Sequence, residues 1–286
     1  MNHAENTLNT SGDITLFTQS WHPNKTPKAI VILQHGYCEH SGRYLHVAKH
    51  FVTKGYAAYA FDLRGHGKSQ GKRIYVDQFE SHIEDFTRFA YWVQHHNPNT
   101  PVFVLAHSMG GTIAALWAAQ NPPDTTGIIL SSPAVQIIAK VPKILIALSD
   151  VISKYLPHFP TVHFDNPDAL SRDPQISAQH TQDPLVFRGR IPARSGAELL
   201  RGTELVRQNA EKITHPLLIL HGTKDTLVSP HGSQELHDRV QSQDKTLKLY
   251  DELRHEILNE PERGQVLSDI ESWISERLYQ KPVPST

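Results

Sequence analysis

Cysteine is nearly absent: Cys38 is the only one among 286 residues. That excludes an internal disulfide and any metal site built from several thiolates, and it suits a reducing compartment. No apolar run approaches the roughly 18 residues that a spanning helix requires. The first residues, Met-Asn-His-Ala-Glu-Asn-Thr, are polar and lack the hydrophobic region of a secretory signal. Neither sign of charge dominates, with a formal net charge of −1 and no basic block. A nucleic-acid partner is therefore not expected. Internal repeats and low-complexity tracts are missing as well. These absences lead to the expectation of a cytoplasmic globular protein, with peripheral membrane contact and oligomeric state left open. The length suits one large α/β domain, or one such domain with an insertion.

What is present is an alternation. Residues 29–33, 57–61, 102–105, 127–131, 216–220 and 246–250 are short, mostly apolar runs that read as strands. Between them lie helical patterns, over 45–52, from Val76 to Val93, after Ser108, and over 266–278. Buried strands alternating with helices predict an α/β fold with a mostly parallel sheet covered on both faces. The rhythm breaks from about 134 to 213, where no strand pattern is found and seven prolines cut the chain into pieces. The expected division is a core of residues 1–133 and 214–286, with a helical cap over 134–213. The competing reading of that interval is a plain helical crossover. Its most apolar part holds Ile144, Leu148, Val151, Ile152, Tyr155 and Leu156, with Lys140, Lys143 and Lys154 among them. Such a helix either packs on the core or meets lipid. Ile144 and Leu148 are candidates for contact with an apolar substrate.

Residues 102–112 read Val-Phe-Val-Leu-Ala-His-Ser-Met-Gly-Gly-Thr. A buried strand that reverses into a helix around one serine is the pattern of a nucleophile elbow, which lifts the serine oxygen above the sheet. The alternative is a β-α turn with an N-capping serine. A serine nucleophile needs a base, and the base needs an orienting carboxylate. Asp225 falls on the loop after strand 216–220, and His255 falls just after strand 246–250. Position selects this histidine from 19 in the chain. Asp251 and Asp238 are rival carboxylates, but neither is on the loop after strand 216–220. The backbone N–H groups of Tyr37, after Gly36, and of Met109 would hold a developing oxyanion.

These residues resemble the monoacylglycerol lipase and lysophospholipase branch of the α/β-hydrolases. The likeness runs through His35-Gly36, the stretch 39–44 (Glu-His-Ser-Gly-Arg-Tyr), 62–69 (Asp-Leu-Arg-Gly-His-Gly-Lys-Ser) and 107–111. It continues through Asp183-Pro-Leu, Gly222-Thr-Lys-Asp225 and His255-Glu256. The resemblance implies the α/β-hydrolase fold, a cap, an acyl channel and hydrolysis of monoacylglycerols or related lipid esters. It implies Ser108 as nucleophile, Asp225 as acid, His255 as base, and Glu39 and Arg43 near the polar end of the site. No metal or cofactor is implied. Four positions depart from the pattern. Ala106 replaces a glycine in the elbow, Tyr37 is bulkier than usual, Glu252 replaces a glycine, and His180 stands where some relatives carry tyrosine. They bear on head-group preference more than on the reaction. Lysophospholipids or short-chain esters are the alternative substrates. A non-catalytic ligand receptor on the same fold is the alternative of another class.

Overall fold

A computed structural model describes residues 1–122, 125–138, 149–163 and 166–279. Its strands are β1 (Asn2–Asn9), β2 (Thr15–His22), β3 (Ile30–Gln34), β4 (Ala57–Phe61), β5 (Val102–His107), β6 (Thr125–Ser131), β7 (Pro160–His163), β8 (Arg190–Pro192), β9 (Leu217–Gly222) and β10 (Lys245–Tyr250). The α-helices among the described residues are α1 (Leu45–Thr53), α2 (Glu80–His96), α3 (Met109–Ala118), α4 (Ser149–Tyr155), α5 (Pro174–Gln182), α6 (Ala193–Asn209), α7 (Pro230–Arg239) and α8 (Arg263–Tyr279).

Eight strands form one sheet in the order β1-β2-β4-β3-β5-β6-β9-β10. β2 runs antiparallel to β1 and β4, and the pairs from β4 to β10 are parallel. The period-two geometry of a strand sends successive side chains to opposite faces. Ile30, Ile32, Val102, Val104, Ile128, Leu130, Leu217 and Ile219 enter one core with α2, α3 and α6. Val31, Leu33, Phe103, Leu105, Ile129, Leu218 and Leu220 enter a second core with α1 and α8. This explains why the central strands are apolar at every position.

Two strand pairs were not expected. The hairpin β1–β2 precedes the first anticipated strand. β1 is exposed along nearly its whole length, so no apolar alternation marks it. The interval 134–213 holds the pair β7–β8, which corrects the expectation of no strand there. Those strands have four and three residues and include Pro160 and Pro192, too short and too proline-bearing to show a period. Phe79 precedes α2 instead of lying within it; its N–H donates to Glu198 Oε2 of α6 at 2.9 Å. The apolar helix around 144–156 is seen only from Ser149; Ile144, Leu148, Lys140 and Lys143 lie outside the described residues.

Candidate active site

The site begins with a backbone conformation. β5 ends at His107 and α3 starts at Met109, so Ser108 alone makes the reversal, at φ 52° and ψ −120°. A β-substituted residue there costs on the order of 1–3 kcal/mol. The surrounding backbone holds it. Ser108 N–H donates to Ser131 O at 3.0 Å, and Ser108 O accepts from Thr112 N–H at 3.2 Å and Ala134 N–H at 3.0 Å. Gly110 is required on the helix side, because a Cβ there would lie 2.5 Å from His35 O. On the strand side Ala106 fits, fully buried in the core. Ser108 itself is half-buried at the C-terminal edge of the sheet.

His255 follows β10 and reaches the serine: its Nε2 lies 2.9 Å from Ser108 Oγ. Its Nδ1 donates to Asp225 Oδ2 at 2.6 Å. The carboxylate is locked in turn. Asp225 Oδ1 accepts the N–H groups of Leu227 at 2.8 Å and Val228 at 3.0 Å, and Oδ2 also accepts from His221 Nε2 at 3.0 Å. Hydrogen bonds to a charged group contribute roughly 1.5–3 kcal/mol each. Four of them hold the rotamer and leave Oδ2 aimed at His255. Gly222, at the end of β9, lets the two loops meet, since a Cβ there would lie 2.3 Å from Leu253 O. Lys224 N–H then donates to Leu253 O at 2.9 Å.

Burial opposes charge on His255, but the Asp225 charge and hydrogen bond outweigh it and raise the imidazole pKa above its usual 6.5. Burial likewise works against ionised Asp225, yet His255 and His221 hold it far below the usual carboxylate range. His107, whose ring lies 4.8 Å from that of His255, is pushed down to about 4 by burial and by His255. It is neutral where His255 titrates.

The loop after β3 passes beside the serine. A Cβ on Gly36 would lie 3.0 Å from Ser108 Cβ, so the backbone leading into Tyr37 borders the Ser108 side chain. Gly36 N–H donates to Glu39 Oε1 at 2.7 Å. Met109, on the other side, opens α3, where the first N–H groups lack intrahelical acceptors. His35 sets the turn: its Nε2 accepts Leu63 N–H at 2.9 Å, so Nδ1 carries the proton and donates to Gly36 O at 2.7 Å.

Glu39 and Arg43 border the same cleft as Ser108 and His255, and so does His180 of α5. The polar atoms of the first two are turned inward. Arg43 Nη1 bridges Glu39 Oε2 and Glu256 Oε1, both at 2.6 Å, and Nη2 donates to Glu256 Oε2 at 2.7 Å. Glu39 Oε1 also takes Tyr44 Oη–H at 2.8 Å. Burial disfavours the Glu256 charge, but Arg43 brings its pKa down to about 2.

Several residues of the site escaped the sequence reading. Glu256 follows His255 with no sequence signal of its own, and its partner Arg43 is 213 residues away. His221 precedes Asp225 in the chain, out of order for a base; it is the second histidine on that carboxylate, with Nδ1 taking Ser233 Oγ–H at 2.7 Å. Asn166, Leu170, Phe187 and Leu227 also line the cleft. They stand in loops or irregular chain, where no periodic pattern exists to mark them. Asp251 is exposed and accepts Thr223 Oγ1–H at 3.0 Å, and Asp238 is exposed beside His237. Neither approaches His255.

A serine hydroxyl, an imidazole and a carboxylate hydrogen-bonded in series at the C-terminal edge of a mostly parallel sheet define the class of α/β-hydrolases. Within that class, the chain belongs to the family described as serine aminopeptidase, S33, which matches residues 25–262. It is 40% identical over 267 residues to a monoacylglycerol lipase of Mycolicibacterium smegmatis, covering 93% of this chain and 95% of that one. It is 36% identical over 267 residues to a monoglyceride lipase of Homo sapiens, covering 92% and 87%. Among solved structures, Paleococcus ferrophilus monoacylglycerol lipase superposes with a TM-score of 0.81 at 31% identity, covering 92% of this chain and 99% of that one.

Proposed function

We propose that this enzyme is a carboxylic ester hydrolase acting on lipid esters, monoacylglycerols first, through an acyl-enzyme on Ser108. The observation that carries the reading is the series Ser108 Oγ, His255 Nε2 at 2.9 Å, and His255 Nδ1 to Asp225 at 2.6 Å. His255 takes the Ser108 proton as Oγ attacks the ester carbonyl. The backbone N–H groups of Tyr37 and Met109 hold the oxyanion. His255 then protonates the departing glycerol oxygen. It next deprotonates a water that attacks the acyl carbon, and Ser108 recovers its proton as the fatty acid leaves. Residues 1–133 and 214–286 act as the catalytic core and 134–213 as the cap, anchored by α6, whose Leu199 and Val206 are buried in the main core. Because Glu39, Arg43 and Glu256 satisfy one another, we assign Glu39 and Arg43 to shaping the polar end of the cleft, and His180 to contact with the head group.

Peptide hydrolysis of the aminopeptidase kind requires a carboxylate for the substrate ammonium. Glu198 instead accepts Phe79 N–H and pairs with Arg201 at 3.1 Å, and Glu204 is exposed beside Arg207. Neither borders the cleft, and the glutamates that do, Glu39 and Glu256, are paired with Arg43. The deciding experiment compares hydrolysis of long-chain monoacylglycerol, lysophospholipid and a soluble short-chain ester. Monoacylglycerol gives the highest kcat/KM; a far higher value for acetate esters overturns the lipid assignment.

The pH dependence follows from His255. The base must be neutral, and its pKa is raised above 6.5, the hydrogen-bonded Asp225 outweighing burial. The kcat/KM for a chemistry-limited ester therefore rises with pH, and the midpoint of its acid limb lies above that of a free imidazole. A profile flat from about pH 5 to 9, a span that covers ordinary imidazole titration, refutes this role.

No helix among the described residues is long and apolar enough to cross a membrane. We propose peripheral contact through the cap of a cytoplasmic enzyme. Val151, Tyr155, Leu156 and Phe159 are exposed by 54%, 71%, 58% and 48%, with Lys154 among them. Apolar side chains beside a cation suit the interface of an anionic lipid surface. Tyr155→Glu/Leu156→Glu loses activity on vesicle-borne monoacylglycerol and keeps it on a soluble ester. Equal loss on both assigns these residues to packing.

A further inference from the structure

Glu260 is fully buried and belongs to none of the groups described above. Its two carboxylate oxygens face different segments. Oε1 accepts the N–H of Arg254, the residue before His255, at 2.7 Å. Oε2 accepts Arg172 N–H at 3.0 Å and Arg172 Nε–H at 3.2 Å. Arg172 belongs to the interval between β6 and β9 and lies two residues beyond Leu170, which borders the cleft with His255. The same two segments also meet elsewhere. Glu256 N–H donates to Leu170 O at 2.8 Å. Ser171 Oγ–H donates to Asn259 O at 3.0 Å, and Arg254 Nη1 donates to Ser171 O at 3.2 Å. The backbone after His255 is thus held by Leu170 directly, and the backbone before it is held by Glu260, which also binds Arg172. The opposite side of this loop, at Leu253 and Arg254, leans on Gly222 of β9.

We propose that Glu260 is a positioning residue: it sets the His255 imidazole against Ser108 and ties that setting to the cap segment 170–172 that borders the cleft. The proposal rests on the reading of Ser108 and His255 as the reacting pair. Two physical arguments support it. A buried carboxylate satisfied by donors from two segments loses one set if either segment moves, and an unsatisfied buried charge is costly. The separation of Glu260 from those donors therefore permits one arrangement of the two segments. A base displaced by an ångström loses on the order of 100-fold in rate, so a constraint on the residue next to His255 acts on kcat.

Glu260→Gln keeps the side chain's volume and replaces one acceptor by an N–H₂ group that faces an N–H donor, which releases one of the two segments. In the full-length enzyme it lowers kcat on a soluble short-chain ester by roughly 10- to 100-fold, with KM changed by less than about twofold. Inactivation by a fluorophosphonate slows in proportion. The downfield proton resonance of His255 Nδ1 shifts or broadens, which a purely structural role would not produce. A kcat within about twofold of wild type, whatever happens to the melting temperature, overturns the proposal. If Glu260→Gln fails to fold, Ser171→Ala carries the test, because it deletes only hydroxyl contacts. It lowers kcat by roughly threefold or more at constant KM, and an unchanged kcat overturns the proposal. Wild-type enzyme that the fluorophosphonate does not label at Ser108 defeats the serine-hydrolase reading itself. Equal labelling rates in wild type and Glu260→Gln defeat only the positioning role.

Discussion

Ser108→Ala lowers kcat/KM for ester hydrolysis by roughly 10⁴- to 10⁶-fold, the range seen when a serine nucleophile acting with its base is removed. His255→Ala has an effect of the same order, and the double variant is little worse than either, because nucleophile and base act as one unit. The measurement is initial rate on a soluble ester, with fluorophosphonate labelling followed by mass spectrometry of the Ser108 peptide. Ser108→Ala also removes the only reason for a polar group at φ 52° and ψ −120°. The backbone bonds to Ser131, Thr112 and Ala134 remain, so the melting temperature stays near that of wild type. Retention of activity within an order of magnitude by Ser108→Ala refutes the nucleophile assignment.

Asp225→Asn lowers kcat by roughly 10⁴-fold, because the amide favours the wrong imidazole tautomer. The site makes this substitution harsher than a tautomer argument alone. Asp225 Oδ2 faces two imidazole N–H groups, on His255 and His221, and Oδ1 faces two backbone N–H groups. An Asn amide satisfies one pair and opposes its N–H₂ to the other. If the amide nitrogen faces the imidazoles, His255 turns its protonated nitrogen toward Ser108 and cannot act as base. Asp251→Asn leaves kcat near wild type, since it touches only an exposed bond from Thr223. A severe Asp251→Asn with a mild Asp225→Asn reverses the carboxylate assignment. His221 is part of the same account. The Asp225 carboxylate, which can only accept, makes Nε2 of His221 the donor and leaves Nδ1 to take the Ser233 Oγ–H; the Nε2–H bond helps to keep Asp225 ionised.

Six of the strands with helices between them, the reversal at Ser108 and the chain positions of Asp225 and His255 after β9 and β10 were legible in the sequence. Each is a local property: strand burial follows period and branching, the reversal is a single residue's backbone angle, and Asp225 and His255 lie within a few residues of a strand end. β1 was not legible, because an exposed edge strand has no apolar face to display. Nor were β7 and β8, which are fragments closed by tertiary contact.

Which polar groups meet was decided only by the tertiary structure. The resemblance places Glu39 and Arg43 at the polar end of the site, yet nothing near them in the chain points to Glu256, which occupies the guanidinium. His221 and Asp225 are four residues apart, but their contact depends on a loop that turns back over the end of β9. Glu260 joins Arg254 to Arg172, 88 residues earlier, with a single carboxylate. The physical reason is common to all three. Backbone conformation and burial are set by short-range sterics and hydrophobic periodicity, which a linear pattern records. The pairing of a buried charge is set by whatever donors the packed chain brings within about 3 Å, and distance along the sequence carries no trace of that.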